Sequence, residues 1–237
     1  MKTALVTGAS YGLGEALTKE LLSMGWQVVG VARSKEKLAS MQQACFIPIV
    51  CDVADEERVV EVSKELQMQG INPTLFFLNA ATTGQDAIED HLDLKKHKEM
   101  FAVNYFGVLS WIAFWQKEAG KTFVVTSSVN VHFCPPEVIA YSASKAAISK
   151  AFEGLAVTNQ DNHFMVVYAG PIETAGLKTP KKLPLTQDPA KLAKKMIQAA
   201  LQKKERLEPS LVYSLVTRAL HALPSRWSAN LLEKLRE

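Results

Sequence analysis

No apolar run in this sequence approaches the roughly 18–20 residues that a membrane-crossing helix needs, and no secretory pattern precedes the first strand-like segment. Cysteine is scarce: Cys45, Cys51 and Cys134 form no Cys-x-x-Cys pair. They read as reduced small hydrophobes of a cytoplasmic chain, with no disulfide framework and no metal site. Internal repeats and low-complexity stretches are missing, which excludes solenoids and arrays. Acidic residues are thin only at one end. Residues 178–237 carry 13 Lys+Arg and 5 Asp+Glu, a net of +8, whereas residues 1–177 carry 14 and 19, a net of −5. The whole chain is only +3, and no aromatic–basic platform accompanies the tail, so nucleic acid is not an expected partner.

What is present fits one folded unit. A chain of 237 residues, 48% hydrophobic and 22% charged, can bury a single sizeable core. Apolar β-like runs at Trp26–Val31, Phe46–Cys51, Thr74–Leu78, Phe123–Ser127 and Phe164–Tyr168 alternate with helical stretches. That alternation predicts an α/β fold of Rossmann type: a doubly wound parallel sheet with helices on both faces. Pro48 interrupts Phe46-Ile47-Pro48-Ile49-Val50 and cannot donate to a ladder, so this third strand is expected at a sheet edge, where strand order 3-2-1-4-5-6 puts it.

Two segments carry chemistry. Lys2–Thr7 reads as a short strand and runs into Gly8-Ala9-Ser10-Tyr11-Gly12-Leu13-Gly14, followed by a helical stretch with Leu13, Ala16, Leu17, Leu21 and Met24 on one side. Strand, glycine-rich turn and helix aim backbone N–H groups and a helix N-terminus at a phosphate. Glycine is required where a Cβ would block the turn or hold a pyrophosphate away. Far downstream, Tyr141 and Lys145 are spaced i, i+4 and share a helix face, with Ser128 thirteen positions before the tyrosine. A phenol beside a fixed cation loses its proton more easily, which makes Tyr141 a candidate proton donor. Each of these has an ordinary reading as well: a tight turn, serines ending a strand, or a chance pair on an amphipathic helix.

Taken together, the ordered set resembles the short-chain dehydrogenase/reductase family over residues 2 to about 205. Thr7–Gly14 is similar to its cofactor turn, Asp52 to its adenine-pocket aspartate with Val53 beside it, and Asn79-Ala80-Ala81 to its Asn-Ala-Gly segment, with alanine for the final glycine. Asn104, Ser128, Tyr141 and Lys145 match the catalytic tetrad in the family's order, and Ala169-Gly170-Pro171-Ile172-Glu173-Thr174 resembles the segment that cups the nicotinamide, with alanine for its first proline. The resemblance implies a single dinucleotide-binding domain, 1–237, with its core at about 1–205. It implies a cofactor site built from Gly8, Ser10, Tyr11, Gly12, Leu13, Gly14, Arg33, Ser34, Asp52, Val53, Asn79, Ala80, Tyr141, Lys145, Gly170, Ile172 and Thr174. Hydride would pass between the cofactor and a small carbonyl or alcohol substrate. Ser128 would bond the oxygen, Tyr141 would move the proton, Lys145 would lower the tyrosine pKa, and Asn104 would anchor a water leading from Lys145 to solvent.

Cofactor choice is read at the end of the second strand. Ala32 stands where a carboxylate would accept the ribose hydroxyls of NAD, and Arg33 and Ser34 follow it. Guanidinium pairs with phosphate in bidentate fashion, so NADP(H) is expected over NAD(H). The loop Glu173–Asp188 should cover the substrate. Its Lys178, Lys181 and Lys182 read as solubilising first and as selective for an acidic substrate second. Thr82, Thr83, Asn130, His132, Phe133 and Tyr168 are pocket candidates that name no particular carbonyl compound.

The family's last strand is not visible, and residues about 206–237 read instead as a helical extension. There Leu211, Val212, Leu215, Val216, Ala219, Leu220 and Leu223 recur at helical spacing before Pro224, followed by Trp227, Leu231, Leu232 and Leu235. The helix is expected to pack on its own core or on a second subunit, with weak contact to an anionic membrane surface as the alternative. Large apolar residues between His97 and Glu118 point to a homodimer. Two other functions stay open: a cofactor-binding sensor or scaffold without turnover, and a membrane-recruited interaction protein.

Overall fold

The computed structural model describes residues 1–41, 43–84, 87–88, 91–173, 186–223 and 227. Seven parallel strands form one sheet: β1 (Thr3–Thr7), β2 (Gln27–Ala32), β3 (Phe46–Val50), β4 (Leu75–Leu78), β5 (Thr122–Ser128), β6 (His163–Ala169) and β7 (Arg206–Leu207). Their order is β3-β2-β1-β4-β5-β6-β7. Period-2 alternation divides the core. Ala4, Val6, Val28, Phe77, Val124 and Met165 point to one face and meet α1 (Gly12–Ser23) and α7 (Pro189–Leu201). Leu5, Val29, Val31, Phe76, Phe123 and Val125 point to the other. There they meet α3 (Glu56–Met68), α5 (Gly107–Trp115) and α6 (Ile139–Thr158). Strands buried on both sides read as near-continuous apolar runs, which is why the sequence signals them.

β3 is an edge strand, as Pro48 requires, and Pro48 faces Gly30 in register. Gly30 has its own reason. A Cβ there would lie 2.4 Å from the Phe46 ring, so the glycine seats an aromatic side chain of the edge strand. Short α2 (Lys35–Ala39) links β2 to β3, and α4 (Leu94–Phe101) continues through a π-helical turn, Ala102–Phe106, into α5. Of the apolar residues expected there for a partner, Met100, Trp111 and Trp115 are buried in the chain's own core, whereas Phe106 stays exposed.

Two expectations at the C-terminal end need correction. A seventh strand exists: Arg206–Leu207 pairs in parallel with Val166–Val167. Two residues that follow Lys203, Lys204 and Glu205 leave no alternation to read, so the strand was invisible in the sequence. The helical extension forms as α8 (Leu211–His221), but it does not bury its apolar stripe in the core. Ser214, Thr217 and Leu220 face inward, and Leu211, Val212, Leu215 and Val216 are exposed. Among the described residues no helix is long and apolar enough to cross a membrane.

Candidate active site

The carboxyl ends of the strands gather the candidate residues, where doubly wound sheets bind their ligands. β1 delivers the chain to Gly8 at φ +69° and Gly12 at φ +56°, conformations that favour glycine. Gly14 is needed for a different reason: a Cβ there would sit 2.0 Å from the Gly8 carbonyl oxygen. Ser10 and Tyr11 form the crest of the turn. Gly12, Leu13 and Gly14 are the first turn of α1, and the N-cap residue Tyr11 makes no side-chain capping bond. Those amide hydrogens are open to an anion.

The turn is braced from below. Thr7 Oγ1 accepts from the backbone N–H groups of Asn79 and Ala80, both at 3.0 Å. Asn79 Nδ2 donates to the Thr7 carbonyl at 3.4 Å, and its Oδ1 accepts from Thr126 Oγ1 at 3.1 Å. One asparagine thus ties the ends of β1, β4 and β5, where the winding of the sheet reverses. Nothing in the sequence marked Thr7 as this brace beyond its place before the first glycine.

At the end of β2, Arg33 is well exposed and its Nη1 lies 3.8 Å from Asp52 Oδ2. Asp52 Oδ1 accepts from Ala54 N at 3.0 Å and so shapes its own turn, while buried Val53 lies against Gly107, where a Cβ would approach the Val53 carbonyl oxygen to 2.6 Å. Ser34 caps α2 by accepting from Lys37 N at 3.4 Å. Sequence reasoning missed Lys37, whose Nζ lies 5.1 Å from the centroid of the Tyr11 ring. It sits in the helix that Ser34 caps, and that three-residue spacing was the available signal.

Ser128 ends β5, and Tyr141 and Lys145 stand one turn apart on α6. Ser128 lies close enough to Tyr141 to act on its hydroxyl, lowering its pKa. The effect expected of the cation is not what the geometry gives. Burial raises the Tyr141 hydroxyl above its ordinary value, and Ser128 only pulls it back in part. Lys145 Nζ donates instead to the Thr126 carbonyl at 2.7 Å and lies 5.8 Å from the Tyr141 ring centroid. Shared helix face places the two side chains together, but where a four-carbon stem ends is decided by the nearest buried acceptor. Burial also loosens the lysine's own proton, with its pKa pushed down to about 8.

Asn104 also has a structural part that its spacing did not show. It is fully buried in the π-helical turn, Oδ1 accepts from Thr82 N at 2.9 Å, and Nδ2 donates to Thr82 O and to Ser144 Oγ, both at 3.0 Å. Both amide hydrogens are used. The side chain is a clamp between the segment after β4 and α6. Ser144 Oγ in turn donates to the Tyr141 carbonyl at 2.8 Å, so the clamp reaches the helix turn that carries the tyrosine.

Beyond β6, Gly170 lies under the Tyr213 ring, with a would-be Cβ 3.4 Å from Tyr213 Cδ2. Ile172 pairs with Gln187 in an isolated parallel bridge, where Glu173 N donates to Gln187 O at 2.9 Å and Gln187 N to Pro171 O at 2.8 Å. The two ends of the following loop are therefore pinned together. Thr174, Lys178, Lys181 and Lys182 fall outside the described residues. Of the pocket candidates, Tyr168 is buried, with His132 stacked on it at 5.6 Å and Arg206 at 4.3 Å from its ring centroid, so it is part of the core and no pocket wall.

A doubly wound parallel sheet, a glycine turn at its reversal point and a Ser–Tyr–Lys cluster at the same strand ends define a Rossmann-type dinucleotide-binding fold. Residues 2–182 match the model of the short chain dehydrogenase family, and the chain belongs to that family. It is similar to an NADPH-dependent 1-acyldihydroxyacetone phosphate reductase from Schizosaccharomyces pombe, 30% identical over 151 residues, 62% of this chain and 51% of that protein. It is also similar to a fatty acyl-CoA reductase from Acinetobacter baylyi, 28% identical over 160 residues, 62% of this chain and 54% of that protein. The matches thus span about half the length of these two relatives. A short chain dehydrogenase from Burkholderia cenocepacia J2315, solved in complex with NADP, superposes with a TM-score of 0.81 at 24% identity, covering 98% of this chain and 99% of that one. At that identity the likeness speaks to the fold.

Proposed function

We propose that the protein is an NADP(H)-dependent oxidoreductase that interconverts a carbonyl and an alcohol, with Tyr141 as general acid and base. The observation that carries this reading is the gathering of Ser128 at the end of β5 with Tyr141 and a buried Lys145 on α6, Ser128 acting on the Tyr141 hydroxyl. The residues present fit a dinucleotide. The Gly8 and Gly12 conformations and the close approach of Gly14 to the Gly8 carbonyl hold a tight turn, and the uncapped start of α1 opens beside it. Ala32 stands where a carboxylate would repel a 2′-phosphate, and Arg33 stays exposed beside it with Lys37 in the helix that follows, so NADP(H) is preferred to NAD(H). The NADPH dependence of the Schizosaccharomyces pombe relative agrees with that preference.

When bound, the nicotinamide supplies or accepts the hydride. The remaining work falls to this chain. Ser128 holds the substrate oxygen, where charge develops. Tyr141 delivers the proton to that oxygen, a contribution of about 10²–10⁴-fold for a positioned acid. Lys145 is anchored on the Thr126 carbonyl and holds its charge in a dry setting 5.8 Å from the Tyr141 ring centroid. Asn104, through Ser144, fixes the turn of α6 from which Tyr141 projects. Both relatives named above carry acyl compounds in their names, and an acyl-bearing carbonyl compound is the substrate class we favour. The test is Tyr141→Phe assayed with NADPH against long-chain aldehydes and 3-oxoacyl thioesters. Reduction should be lost while NADPH binding stays within about twofold; unchanged turnover refutes the assignment.

A further inference from the structure

Helix α8 is built inside out. Its inward row holds Ser214 and Thr217 with Leu220, all buried, whereas Leu211, Val212, Leu215 and Val216 are 68%, 56%, 65% and 42% exposed. Those four stand at i, i+1, i+4 and i+5, which makes one continuous stripe. Leu223 and Trp227 extend the exposed apolar residues beyond the helix. An exposed aliphatic stripe of this kind on a monomer marks a binding face.

We propose that this stripe docks the protein on an anionic lipid bilayer. Charge decides between a bilayer and a second copy of the chain. Around α8, residues 203–223 carry Lys203, Lys204, Arg206 and Arg218 against Glu205 and Glu208, a net of +2. Glu208 is shared by Arg206 Nε at 2.5 Å and Arg218 Nη2 at 2.6 Å, so the three groups together keep one positive charge. A two-fold contact through α8 would bring two such basic regions together, whereas an acidic headgroup layer attracts one. Trp227, an exposed indole just past the stripe, suits the headgroup level. Aliphatic residues on one side and flanking cations are what an interfacial helix requires.

The location gives the docking a use. The Tyr213 ring lies against Gly170, and α8 packs on the turn Val129–Val131 that directly follows Ser128. A docked α8 therefore borders the proposed carbonyl site, and an acyl-bearing substrate could pass from lipid to Tyr141 with little travel through water. This consequence rests on the reductase reading, but the docking does not.

The experiment is flotation of the full chain with vesicles of phosphatidylcholine alone or of three parts phosphatidylcholine to one part phosphatidylglycerol, beside the double variant Leu211→Gln/Leu215→Gln. Both leucines are exposed, so the variant should keep its melting temperature and its turnover of a short water-soluble aldehyde. The unaltered chain should rise with the anionic vesicles at least about tenfold more than with neutral ones, and the variant should lose about tenfold of that binding. A chain that stays in the dense fraction with both vesicles overturns the proposal. So does a variant that floats as well as the original, or an original chain that fails to float and forms a dimer which the variant splits in light scattering. Because flotation needs no turnover, an inactive protein that floats leaves the docking standing and removes only the reductase reading.

Discussion

Lys145→Met separates folding from chemistry at one position. Lys145 is 2% exposed and its pKa is pushed down from 10.5 to about 8 by burial, so at pH 7 the fold holds a charge that the unfolded chain would hold more easily. A depression of that size corresponds to about 3 kcal/mol of lost stability at neutral pH. The sign follows from proton counts. Between pH 8 and 10.5 the unfolded lysine keeps its proton while the folded one has released it, so the unprotonated fold gains stability as pH rises through that window. Methionine has no charge and a similar length, which removes the penalty, but it leaves the Thr126 carbonyl without its 2.7 Å donor at a cost of about 1–3 kcal/mol. Urea denaturation followed by tryptophan fluorescence, on both proteins from pH 7 to pH 10, measures the difference. The stability of the methionine variant relative to the original should fall by about 2–3 kcal/mol over that range, with all other titrations cancelling. Parallel stability curves would show that Lys145 holds no strained charge and would sink the electrostatic account of the site.

Three further outcomes follow from contacts already described. Gly30→Ala places a Cβ 2.4 Å from the Phe46 ring and should cost about 1–3 kcal/mol; adding Phe46→Leu should recover most of it, as a double-mutant cycle by thermal melts would reveal. Arg33→Ala should weaken NADPH binding about 10–100-fold and NADH binding by less than about threefold, measured by fluorescence titration, with Lys37→Ala in the same direction. Asn104→Ala removes partners from Thr82 N, Thr82 O and Ser144 Oγ and should cost about 2–4 kcal/mol in calorimetry, with turnover falling in step with the loosened α6 turn.

Much of this was legible in one dimension. Strands buried on both faces must be apolar throughout, so β2, β4, β5 and β6 stood out, and in half-exposed β3 Pro48 alone implied an edge because its nitrogen carries no hydrogen. The glycine spacing was readable because Gly8, Gly12 and Gly14 answer to local backbone geometry and to a contact six residues away. The i, i+4 spacing put Tyr141 and Lys145 on one face for the same reason. These features depend on neighbours along the chain.

The rest depended on partners far away in sequence. Lys145 Nζ found the Thr126 carbonyl nineteen residues back, and Asn104 found Thr82 and Ser144, so neither could be assigned its bonds from spacing. Strand β7 exists because Val166–Val167 offers an open edge to Arg206–Leu207, not because two residues prefer extension. In α8 the heptad-like pattern announced a helix but not which side would turn inward. Sequence supplies periodicity, which depends only on local geometry; orientation and hydrogen-bond partners are decided by which groups the folded sheet brings within reach.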